Sequence, residues 1–153
     1  MKKFGILIVL VLMLLGLTAL LNKQKTPVQN PDTKGVIETA KNFYDFYDSC
    51  MKNPPKQAKD RVGEYCQQNS GLTTSDFAVN LEKGGTAKAG ADPIICAQNP
   101  FQSFTIGSNV QIQDNKATVP VIELFGSTQL VSQVVLINSN GWKIDNIICP
   151  KPG

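Results

Sequence analysis

From Phe4 to Leu21 the chain runs eighteen residues without a charge, and nothing in the run is more polar than Thr18. A helix needs ~17–25 apolar residues to cross the hydrocarbon layer, so this pattern predicts a membrane helix over 4–21 behind a cytoplasmic tip at 1–3. Lys2 and Lys3 hold the tip inside. Signal cleavage is the alternative, which would release the rest as a secreted protein. The small-residue pairs a peptidase would need, Gly16 with Thr18 or Leu17 with Ala19, are poor, which favours an uncleaved anchor. Residues 22–33, NKQKTPVQNPDT, are polar and carry two prolines, as expected of a tether. A domain over 34–149 and a short tail at 150–153 complete the expected layout.

Within the domain the apolar period is first helical. Val36, Ala40, Phe43, Tyr44, Tyr47, Cys50 and Met51 recur at three and four residues, after a cap at Asp32 or Thr33 and before the stop at Asn53-Pro54-Pro55. A shorter helix is predicted from Pro55 to Gln68 on Ala58, Val62, Tyr65 and Cys66. A third opens on Thr73 and Asp76, read as a capping box, buries Phe77, Ala78 and Leu81, and ends at Gly84-Gly85. A loop follows to Ala91.

From Asp92 the period becomes two. A short strand is predicted at Ile94–Ala97. A four-stranded antiparallel meander follows over Phe104–Gln113, Ala117–Phe125, Gln129–Asn138 and Trp142–Cys149, with turns at Asp114-Asn115, Gly126-Ser127 and Asn140-Gly141. Pro120 lacks an amide hydrogen, which points to an edge strand or a bulge. The expected class is α+β, with N-terminal helices packed on a curved antiparallel sheet to make a cone whose open end can hold a pocket.

Charge narrows the partners. The net charge is +3, but four of the fifteen basic residues flank the hydrophobic run, leaving eleven against twelve acids from Asp32 onward. The domain therefore lacks a nucleic-acid footprint. The chain has no histidine. Imidazole catalysis, His-activated nucleophiles and His-ligated metals are excluded. Four cysteines, Cys50, Cys66, Cys96 and Cys149, lie outside any C-x-x-C pair, and in an exported domain they read as two disulfides. Three connectivities are open. Cys50–Cys66 across a helical hairpin with Cys96–Cys149 is the preferred guess, and no metal site is expected. The absence of an N-x-S/T sequon is in keeping with a bacterial source.

Three stretches carry a family resemblance. Phe43-Tyr44-Asp45-Phe46-Tyr47, Asp92-Pro93 leading to Ala97-Gln98-Asn99, and Gly141-Trp142-Lys143-Ile144-Asp145-Asn146-Ile147 resemble the nuclear-transport-factor-like superfamily, which includes ketosteroid-isomerase-like enzymes. More narrowly, the chain is similar to small bacterial envelope proteins that carry a domain of unknown function. The resemblance implies a cone fold; its motifs speak for fold and not for chemistry.

Tyr44, Tyr47, Asp92, Glu123 and Asp145 are the candidate pocket residues. A carboxyl buried among them could move a proton next to a carbonyl. The plainer reading is a turn former at Asp92, a solvent-facing Glu123, a lysine-paired Asp145 and two core tyrosines. No catalytic cluster and no cofactor are expected. The functional expectation is a non-catalytic binding or assembly module, anchored in the inner membrane with its domain in the periplasm or outside, contacting another envelope protein or a small apolar ligand. A periplasmic inhibitor or immunity-type protein and a small lyase or isomerase are the alternatives.

Overall fold

The computed structural model describes residues 31–58, 62–84 and 90–151. The expected membrane helix at 4–21, the tip at 1–3 and most of the tether lie outside them. Among the described residues no helix is long and apolar enough to cross a membrane.

Helix α1 spans Pro31–Lys52. Pro31 to Thr33, expected in the tether, belong to it: proline costs nothing in a first turn, whose amides lack partners anyway. The apolar stripe buries Val36, Ala40, Phe43, Tyr44 and Tyr47 almost completely. The opposite face carries the pairs Lys34–Glu38, Lys41–Asp45 and Lys52–Asp48, each four residues apart on the helix. Gly35 lets Trp142 close over the start of α1, since a β-carbon there would lie 3.1 Å from the indole.

The second predicted helix is described in two pieces, on either side of residues 59–61. It resolves into a single 3-10 turn at Lys56–Ala58 and helix α2 at Val62–Gln68. Helix α3, Phe77–Gly84, starts later than the proposed capping box. Thr73 instead bridges Ile144, and the Thr74 amide and the Leu72 carbonyl bond to the two sides of Ile144. This stretch covers an edge of the sheet, which leaves Thr73 unavailable as a cap.

The sheet is antiparallel with strands β1 (Ser103–Ile106), β2 (Gln111–Gln113), β3 (Lys116–Phe125), β4 (Thr128–Asn138) and β5 (Trp142–Ile148). β4 lies between β3 and β5, while β1 and β2 share the other side of β3. Five strands replace the four expected, because the first predicted strand breaks after Ile106.

Pro120 accounts for the break. It sits inside β3, the strand paired on both sides, and not at an edge. Its carbonyl accepts from the Gly107 amide at 2.8 Å, so its missing donor faces the gap between β1 and β2. Gly107 makes room there: a β-carbon would come within 2.7 Å of Pro120 Cγ. The predicted strand at Ile94–Ala97 is a turn, closed by an Asp92–Ala97 bridge and containing Cys96 at a φ of 56°.

One core joins the stripe of α1 to the inner face of the sheet, chiefly Ala117, Val119, Val121, Val134, Leu136, Ile144 and Ile147. Two disulfides brace it. Cys50 pairs with Cys66, tying α2 to the end of α1, and Cys96 pairs with Cys149, tying the 92–97 turn to the residue after β5. Paired cysteines point to an oxidising, extracytoplasmic environment.

Candidate functional site

Four of the five candidate residues come together. Tyr44 and Tyr47 stand on the buried stripe of α1, one turn apart. Asp92 enters from the turn before β1, and Glu123 from β3. Tyr47 donates its hydroxyl proton to Asp92 Oδ2 at 2.5 Å, while Asp92 Oδ1 accepts from the Ile94 amide at 2.8 Å. Asp92 is thus a turn former, as the plainer reading held, and also the lock between turn and helix. Tyr44 donates to the Ile94 carbonyl at 3.1 Å.

Glu123 overturns the solvent-facing alternative. In β3 the buried positions alternate through Ala117, Val119 and Val121, and Glu123 is the next in phase, with no exposed surface. Its cross-strand partners are Phe104 on β1 and Leu130 on β4. The inward Ser132 pairs with Val121, one step diagonal from Glu123, and is equally buried. Among the described residues neither carboxyl oxygen of Glu123, nor Ser132 Oγ, has a hydrogen-bond partner.

Burial pushes the Glu123 carboxyl up to about 8, and the Asp92 charge adds to the rise. The neighbouring Tyr44 hydroxyl pulls the other way, but its proton is committed to Ile94. Glu123 is therefore mostly a neutral acid at pH 7. Both tyrosine hydroxyls are held well above their ordinary value, first by burial and next by the Glu123 charge at Tyr44 and the Asp92 charge at Tyr47.

Asp145 is not part of this group. The pairing of β4 with β5 steps from Val135–Asn146 to Leu136–Ile144, so Asp145 is the residue left over at a bulge. It accepts a bond from the Thr74 hydroxyl at 2.9 Å, and its carbonyl accepts from Asn80 at 3.1 Å. Its partners are a threonine and an asparagine, not the expected lysine. They fasten α3 and its approach to β5.

Beside Tyr47 and Asp92 opens a cleft of about 280 Å³. Met51, Ile95, Pro100 and Phe101 give it an apolar wall; Asp48, Lys52 and Gln98 stand with Tyr47 and Asp92 as its polar groups. Phe101 connects cleft and acid cluster. Its ring lies 6.4 Å from that of Tyr44 and 5.5 Å from that of Phe104, the cross-strand neighbour of Glu123. The disulfides hold both walls. Cys50 immediately precedes Met51 and Lys52, and Cys96 immediately follows Ile95.

Ser132, Phe101, Ile95 and Met51 were absent from the sequence-derived candidates. Ser132 was accessible from the alternation Ser132, Val134, Leu136 on β4. Phe101 follows Asn99-Pro100 in an irregular stretch, where no periodicity marks it.

Among the described residues no group of three or more acidic or cysteine side chains is arranged to hold a metal ion. Comparison with protein-family models, with curated proteins and with solved structures returns no match.

Proposed function

We propose that this chain is an extracytoplasmic binding module, anchored in the inner membrane through residues 4–21, whose domain takes a small, largely apolar ligand in the cleft between the end of α1 and the 92–101 segment. The observation that carries this reading is the construction of the cleft. An apolar wall of Met51, Ile95, Pro100 and Phe101 meets one anchored polar pair, Tyr47–Asp92, the combination that orients a ligand while burying its body. Disulfides on both sides keep the walls in place without a ligand, which lowers the ordering cost of binding.

Nile red, a neutral apolar dye, tests this reading. The full chain is expected to enhance and blue-shift its fluorescence, and Met51→Glu, at an exposed position on the rim, is expected to remove the enhancement while leaving thermal unfolding unchanged. Equal enhancement by both proteins would place the dye elsewhere and sink the proposal.

Glu123 favours a second reading, a lyase or isomerase that moves a proton next to a carbonyl. An acid set at about 8 and close to Tyr44 is tuned for that work near neutral pH. Its complete burial weighs against it, because a substrate has to reach the carboxyl. Deuterium exchange at the α-carbons of cyclic ketones, catalysed by the chain and lost in Glu123→Gln, would support this reading over the first.

A further inference from the structure

We propose that the cleft selects an organic amine, its ammonium group held at Asp92 and its alkyl or aryl body lying along Phe101, Ile95 and Met51. This rests on the binding reading above and adds the chemistry of the ligand.

Charge in the cleft carries the first part of the argument. Among the described residues Lys52 is the one cation that lines it, and that ammonium pairs with Asp48 at 2.7 Å. Asp92 accepts from two neutral donors, the Ile94 amide and the Tyr47 hydroxyl, and among the described residues no lysine or arginine pairs with it. Asp92 thus lines an apolar-walled cleft with neutral donors as its partners among the described residues. Two neutral hydrogen bonds stabilise and orient it but supply no counter-charge.

Glu123, fully buried, stays mostly a neutral acid at pH 7 because burial and the Asp92 charge both oppose its ionisation, so among the described residues Asp92 is the carboxylate of the cleft that lacks a cationic partner. The rings of Tyr47 and Phe101 line the same space and favour a cation over their faces. A carboxylate ligand meets the Asp92 charge, and a neutral alcohol keeps the apolar contact and a hydrogen bond but forms no ion pair. At about 280 Å³ the cleft suits a small amine.

Three probes share one body and differ in charge: 2-phenylethylamine, 2-phenylethanol and 3-phenylpropionate. In calorimetric titrations of the full chain at pH 7, the amine is expected to bind about tenfold or more tighter than the alcohol, with the carboxylate weakest. Asp92→Asn keeps an acceptor for the Ile94 amide and is expected to erase the advantage of the amine. Gln98→Lys, at an exposed position lining the cleft, is expected to do the same by placing a competing ammonium there, and it serves should the Asp92 variant fail to fold. Equal binding of amine and alcohol by the unaltered chain overturns the amine selection while leaving the cleft reading intact. No binding by any of the three removes both. An amine preference unchanged in Gln98→Lys and in a folded Asp92→Asn puts the ammonium elsewhere and also overturns the proposal.

Discussion

The Tyr47 hydroxyl and the Asp92 carboxylate meet at 2.5 Å across forty-five residues of sequence, joining helix α1 to the turn that forms the far wall of the cleft. A hydrogen bond to a charged acceptor contributes about 1.5–3 kcal/mol, more than a neutral pair. Tyr47→Phe keeps the ring and its stacking on Phe43, whose centroid lies 6.2 Å away. Urea unfolding of this variant is expected to show a loss of about 2 kcal/mol, as a lower midpoint with an unchanged slope.

Glu123 sets a pH dependence whose sign follows from its direction of shift. Its carboxyl is raised from 4.5 to about 8 on folding, so between those values the unfolded chain has released a proton that the folded chain keeps. Stability is greatest below the unfolded value, falls as pH rises through the interval, and levels off above about 8; the cost across it is up to roughly 5 kcal/mol. Denaturant midpoints taken at steps from pH 5 to 9 are expected to decline in the unaltered chain and to stay nearly level in Glu123→Gln. A decline of the same size in both would show that another group carries it.

The Cys96–Cys149 disulfide spans 53 residues and holds the cleft wall to the end of β5. Chain entropy assigns such a closure about 4 kcal/mol, against about 3 for the 16-residue Cys50–Cys66 closure. Cys96→Ser with Cys149→Ser is expected to be the more damaging pair in thermal unfolding. It should also speed amide exchange at Ile94 and Ile95, whereas Cys50→Ser with Cys66→Ser should leave those two amides protected.

Gly107 and Pro120 form a second coupled pair. Gly107→Ala brings a β-carbon to 2.7 Å from Pro120 Cγ, and overpacking of this kind costs about 1–3 kcal/mol. Pro120→Ala removes the obstructing ring. The double variant is expected to be more stable than the sum of the two single losses predicts, a coupling that unfolding measurements in a double-mutant cycle read directly.

These residues also show what the sequence carried. The stripe from Val36 to Tyr47 defined α1 because one repeat of three and four residues satisfies both helix and core. The turns at 114–115 and 140–141 were legible because Asp114 and Asn140 adopt positive φ, which their side chains tolerate. Glu123 was legible in position, in phase with Val119 and Val121, but its chemistry argued for solvent, and only the closed inner face decides against that. Asp145 failed for a complementary reason: a bulge shifts the alternation by one residue, and nothing local announces it. The short predicted strand at Ile94–Ala97 was a turn: Cys96 at positive φ and the Asp92–Ala97 bridge fold it back on itself, while Ile94 and Ile95 are buried in the common core.

If the cleft beside Tyr47 and Asp92 is where this protein meets its ligand, methyl-labelled NMR of the full chain titrated with 2-phenylethylamine will register it there. Saturable shifts are expected at Met51 and Ile95 alone, with the methyls of the exposed Val131 and Ile148 unmoved. Shifts centred on Val131 and Ile148, with Met51 and Ile95 unchanged, would place the ligand on the outer face of the sheet and rule the cleft out.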